Sequence, residues 1–210
     1  MELHDALAQI SEIRDRMAGG QVFRGYRAAT TAMTAVVAAA AAAAQARWVP
    51  DPAASAHAYL AVWAGAAGLC LLGVGIEMAL RCRKSASAMQ RQMTLLAVDQ
   101  FVPSVVAGGF LTWAVAGFAP DALWMLPGLW AVIFGLGVFA SRRFLPRGIA
   151  LAGGYYLLAG LYCLTLRDGG RSLSPWTMGT LFGVGQLLTA AVLYWSLERR
   201  HKSGEASHAG

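Results

Sequence analysis

Six long apolar stretches, separated by short polar segments, fill the chain from residue 28 to residue 197. They lie near residues 28–46, 58–80, 95–118, 121–141, 148–166 and 175–197. Each is close to the roughly 20 residues that a helix needs to cross a hydrocarbon core. The pattern predicts an all-α integral membrane protein with six transmembrane helices. Ahead of the first stretch, Leu3, Leu7, Ile10, Ile13 and Met17 recur every three or four residues. That spacing predicts an amphipathic helix, which Gly19-Gly20 would end. The expected organisation is an amphipathic helix and interfacial segment over 1–27, a membrane domain over 28–197 and a polar tail over 198–210.

Charge orients the bundle. Only 13% of the residues are charged, against about 25% in a soluble domain. The 17 Lys and Arg are segregated. One side carries Arg14, Arg16, Arg24 and Arg27, then Arg81, Arg83, Lys84 and Arg91, then Arg142, Arg143 and Arg147, and finally Arg199, Arg200 and Lys202. The other side carries Arg47, Arg167 and Arg171. By the positive-inside rule both termini are cytoplasmic, in the inner (plasma) membrane of a bacterium. Arg24, Arg27, Arg81, Arg83, Arg142 and Arg143 are placed to meet anionic lipid headgroups. A net charge of +6 could point to nucleic acid, but no groove-reading motif accompanies it. Membrane lipids are therefore the expected partners, with a second copy of the chain or another membrane protein as a further partner.

Aromatic residues mark two expected interfaces. Trp48, Tyr59, Trp63, Phe118, Trp124 and Trp176 fall at the outer one, and Phe23, Tyr26, Phe139, Phe144, Tyr194 and Trp195 at the inner. Ala44-Gln45-Ala46 has the small-x-small form of a signal cleavage site. The 27 residues before the first span include four acids, Glu2, Asp5, Glu12 and Asp15, which is unlike a compact basic leader. The first span is expected to be retained.

Glycine motifs repeat along the spans. Ala107-Gly108-Gly109-Phe110 recurs as Ala152-Gly153-Gly154-Tyr155, and Phe134-Gly135-Leu136-Gly137 as Phe182-Gly183-Val184-Gly185. The spacing implies three hairpins of one orientation, a parallel rather than an inverted repeat. Gly108, Gly109, Gly153, Gly154 and the GxxxG pair Gly179 and Gly183 are expected where helices approach closely. Pro103 and Pro127, in the third and fourth spans, each remove a backbone hydrogen bond and can kink a helix.

Residues for chemistry are few. HExxH, GxSxG and phosphate-cradling glycine loops are absent from the sequence. His4, His57, His201 and His208 share no helical face, so no metal or cofactor is expected. Cys70, Cys82 and Cys163 form no pairing framework. Glu77 and Asp99 are the acids nearest the hydrocarbon. Both lie toward the cytoplasmic ends of their spans, where pairing with Arg81, Arg83 or Arg91 is the structural role, and proton or cation handling the functional one. Gln186, between glycines, is the most central polar residue. It can bridge helices or line a pathway.

The segment from Leu126-Pro127-Gly128-Leu129-Trp130 to Phe134-Gly135, closed by Arg142-Arg143, belongs to a scheme of glycine-rich returning helices ending in arginines. In this it resembles the HdeD-type acid-resistance membrane proteins. The resemblance covers the spans and not the N-terminal helix. It implies a six-span hairpin fold and a stress-associated role, and it supplies no catalytic residues. The expected function is non-enzymatic, a structural, stress-associated or regulatory role through helix packing and partner contacts. The alternative is a small-solute or proton-linked transporter using Glu77, Asp99 and Gln186.

Overall fold

The computed structural model describes residues 28–84, 88–143, 145–146, 148–167 and 169–198. The amphipathic stretch, Arg24, Arg27 and the tail from residue 199 lie outside them. Every regular element among the described residues is helical. The α-helices are α1 (Ala28–Trp48), α2 (Ala56–Lys84), α3 (Ala88–Phe118), α4 (Leu126–Ala140), α5 (Ile149–Thr165), the short α6 (Gly169–Ser172) and α7 (Pro175–Leu193). A 3-10 segment, Pro120–Met125, leads into α4, and a π-helical stretch, Tyr194–Glu198, extends α7.

Five of these runs are long and apolar enough to cross a membrane: Ala28–Trp48, Ala56–Leu80, Val98–Phe118, Pro120–Arg143 and Pro175–Ser196. The sixth apolar helix, α5, has 17 residues, or about 25 Å of rise. Local sequence explains the boundaries. Alanine, the strongest helix former, makes up most of α1. Pro175 opens α7, where its missing N–H is not needed. Pro127, able in principle to kink a helix, is buried in the first turn of α4, after the 3-10 segment, where its missing N–H is likewise not needed. Pro103 does lie inside α3.

Contacts between helices fix their directions. On α1 and α7, Ala42 faces Gly179 while Gln45 reaches Leu173, just before α7. On α4 and α5, Gly128 faces Gly160 while Gly135 faces Gly153. In each pair one index rises as the other falls, so the helices are antiparallel. Thr112 with Trp130 and Ser104 with Gly137 give α3 and α4 the same relation. We call the end bearing Arg83, Arg142 and Arg143 the basic end.

The predicted hairpin partners do adjoin: α1 with α2, α3 with α4, and α5 with α7. The most extensive pairings are different ones, α1 with α7 and α4 with α5. The reason is backbone approach at glycine. A Cβ on Gly128 would stand 2.7 Å from the Gly160 carbonyl oxygen, and a Cβ on Gly160 2.7 Å from that of Gly128. Side chains there would hold the helices apart. By contrast α2 and α3 touch each other little, and the apolar window of α3 contains no buried residue. The bundle is therefore a ring of six helices with a thin seam between α2 and α3.

Candidate functional site

A cavity of about 640 Å³ lies inside this ring, next to the seam. Its back wall comes from Thr34, Val37 and Ala38 of α1, from Trp130, Ile133 and Phe134 of α4, and from Met178, Phe182 and Gln186 of α7. All nine are buried or half-buried. Its front comes from α2 (Trp63 to Leu71) and α3 (Phe101 to Ala116). Leu71, Val105 and Trp113 line it and are also exposed. The cavity thus opens outward between α2 and α3, toward whatever surrounds the bundle.

Glycine and alanine create the space. Gly68 on α2 and Gly108 and Gly109 on α3 line the cavity, and a Cβ on any of them would meet nothing within 4 Å. Aromatic packing closes the basic end. The Phe134 ring centroid is 5.3 Å from that of Phe101, 4.7 Å from that of Tyr156 and 6.0 Å from that of Phe182. The contacts with Phe101 and Phe182 are edge-to-face, an arrangement that aromatic pairs favour.

Hydrogen bonds tie the opposite end. Gln45 is fully buried on α1. Its Oε1 accepts from Trp63 Nε1 at 2.6 Å, and its Nε2 donates to the Leu173 carbonyl at 2.7 Å. One amide therefore joins α1, α2 and the segment leading into α7. Trp130 Nε1 donates to Thr112 Oγ1 at 2.8 Å, and Thr112 Oγ1 donates to the Gly108 carbonyl at 2.7 Å. Beside them, Ser172 donates to the Trp124 carbonyl. Two tryptophans of the cavity wall are thus held in fixed orientations.

The residues singled out in the sequence are dispersed. Gln186 lines the cavity, whereas Glu77 and Asp99 do not. Glu77 is half-buried on α2 and Asp99 is exposed on α3. Gly108 and Gly109 border the cavity instead of a neighbouring helix, and Gly154 and Gly183 also have open space beside them. Gly153 packs on the Phe139 ring, at 2.9 Å from an added Cβ, and Gly179 on Ala42, at 2.8 Å. Arg83, Arg142 and Arg143 are exposed at the basic end, and the Arg81 side chain lies outside the described residues. Tyr59 and Trp63 were placed in the outer aromatic belt, yet both are core residues, 1% and 5% exposed. They bury because they face α1 and α7 among Ala42, Leu173 and Met178.

Two features escaped the sequence reading. Gln45 looked like part of a cleavage motif. A glutamine late in an alanine-rich span is itself the signal, because an amide there needs partners. The Gly128–Gly160 approach had no such marker beyond glycine itself. Chemically, the cavity lining holds Cys70, Ser104, Thr34 and Thr112 as nucleophile types, with no histidine, acid, lysine or arginine among the described lining residues to activate them. Among the described residues, no three His, Cys, Asp or Glu side chains gather as a metal site requires.

No family model, curated protein or solved structure matches this chain.

Proposed function

We propose that this is a six-span protein of a bacterial inner membrane, with both termini cytoplasmic, that binds an apolar molecule of the bilayer without transforming it. On this reading α5 is the shortest of six spans, within the range a bilayer accepts. The observation that carries the proposal is the cavity itself. It is lined mainly by apolar and aromatic side chains, has a few polar groups, and opens sideways between α2 and α3. Apolar pockets with few polar groups are the usual form of small-molecule sites. An opening in a lateral wall is reached from lipid and not from water. A structural, regulatory or stress-associated role would then act through the bound molecule.

The described residues of the lining are uncharged, which weighs against proton-linked or ion transport as the alternative. A proton or cation path through hydrocarbon needs ionisable groups along it, and Glu77 and Asp99 lie outside the lining.

The test is tryptophan quenching by a brominated long-chain hydrocarbon, with the full chain in nanodiscs. Trp63, Trp113 and Trp130 line the cavity. Quenching should include a saturable part at one probe per protein. Gly68→Leu with Gly108→Leu should remove that part by filling the lumen, because neither new side chain meets a neighbour at its Cβ. Quenching that never saturates, and is the same in both proteins, would overturn the proposal.

A further inference from the structure

We infer that the molecule held in this cavity is a single-chained amphiphile with an uncharged hydrogen-bonding head, bound with its head at Gln186 and its chain directed toward Trp130. This deepens the proposed function and rests on it. Three observations carry it: the shape of the cavity, its lack of charge, and the distribution of unused hydrogen-bonding groups along it.

Shape comes first. The cavity follows α3 from Phe101 to Ala116. Fifteen helical steps are about 22 Å. A volume of about 640 Å³ along that length lies in the range of single small-molecule sites. One extended hydrocarbon chain matches the length of the cavity, and a lipid with two such chains needs correspondingly more room.

The polar groups then set the direction. At the end away from the basic end, two of the three indoles of the wall are already used, and the third, on Trp113, is 64% exposed at the seam. Trp63 Nε1 is bonded to Gln45, and Trp130 Nε1 to Thr112, whose own proton goes to Gly108. Toward the basic end the wall carries Thr34, Ser104 and Gln186. Gln186 is seven residues beyond Gly179, and Thr34 is eight before Ala42, which touches Gly179. The antiparallel register therefore puts Thr34 and Gln186 at one level. Ser104 joins them by depth, six residues into the Val98–Phe118 span as Thr34 is six into Ala28–Trp48. Thr34 donates to the Thr31 carbonyl and keeps its acceptor lone pairs. Gln186 and Ser104 make no side-chain hydrogen bond to another described residue. A primary amide brings two donors and an acceptor. Left facing hydrocarbon, those groups cost free energy that a hydrogen-bonding head would recover. With no cation or anion among the described residues of the lining, a charged head would be desolvated without a partner. The head that fits is a hydroxyl, carbonyl or amide.

The test uses the native chain in nanodiscs and four probes. They are a long-chain primary alcohol brominated at its far end, the same alcohol brominated beside the hydroxyl, its sulfate ester, and a two-chained diacylglycerol. Trp63, Trp113 and Trp130 lie seven, five and four residues from the ends of α2, α3 and α4 that are remote from the basic end. The saturable quenching should therefore be several-fold stronger with the far-end bromine than with the bromine beside the hydroxyl. The sulfate ester and the diacylglycerol should compete at least tenfold less well than the alcohol. Gln186→Leu should weaken alcohol binding about five- to tenfold more than it changes hydrocarbon binding. The quenching ratio needs no variant, so a misfolded Gln186→Leu cannot obscure the result. Equal quenching by the two bromine positions, stronger quenching from the head-side bromine, or equal competition by the sulfate ester would overturn the inference and spare the cavity-binding reading. If neither the alcohol nor the plain hydrocarbon binds saturably, both fail.

Discussion

Gln45 and Trp63, 18 residues apart on two different helices, share a 2.6 Å hydrogen bond inside the bundle, and the same glutamine also holds the Leu173 carbonyl. Gln45→Leu would keep the volume and orphan both partners. Interhelical hydrogen bonds in membranes are worth about 1 kcal/mol, so losing this pair of bonds should cost about 1–2 kcal/mol. Trp63→Phe should cost a similar amount. Because the two residues share a bond, the double variant should lose less than the sum of the singles. Denaturant unfolding in mixed micelles measures all three. Strict additivity would mean that the bond contributes nothing.

Glycines of this chain should divide into two groups under substitution. Gly128→Ala places a Cβ 2.7 Å from the Gly160 carbonyl oxygen and 2.8 Å from Leu164 Cγ. Backbone cannot move aside cheaply, so a loss of about 1–3 kcal/mol is expected. Gly154→Ala meets nothing within 4 Å. It should be neutral, or stabilising by up to about 1 kcal/mol through helix propensity. Thermal unfolding of the two variants side by side checks this, and equal destabilisation would contradict the α4–α5 geometry.

The sequence located the helices well and their faces poorly, for one physical reason. Hydropathy finds where a chain leaves water, and the observed α1, α5 and α7 begin and end within a few residues of the apolar stretches. In a bilayer, however, both the lipid-facing and the core-facing surfaces are apolar. Pattern therefore could not separate Trp63, buried against α1, from Trp48, which is 73% exposed at the end of that helix. For the same reason Gly108 and Gly179 looked alike, although one borders open space and the other packs on Ala42. The cavity depends on which helices are neighbours, and no local signal carries that. Gln186 stood out because a central amide is rare and costly wherever it points.

Orientation rests on charge placement alone and is directly testable. Reporter fusions at Arg83, Arg143 and Gly210 should report cytoplasm, and those at Asp51 and Gly170 the opposite side. This follows from fourteen cationic residues on one side against Arg47, Arg167 and Arg171 on the other. A non-cytoplasmic Gly210 would contradict the proposed six-span topology.

The two acids should be dispensable for binding. Glu77→Gln with Asp99→Asn alters no side chain of the cavity wall. Saturable hydrocarbon quenching should keep its affinity within twofold, whatever the change in stability. A variant that folds but no longer binds would restore these carboxylates to the functional site.

The central claim, that the ring of helices holds one apolar molecule behind the α2–α3 seam, is tested most directly by native mass spectrometry of the protein released from gently solubilised membranes. The wild-type chain should retain one adduct in the mass range of a single-chained lipid, and the Gly68→Leu, Gly108→Leu chain should emerge bare. Equal adducts on both, or none on either at activation energies that preserve the fold, would contradict it.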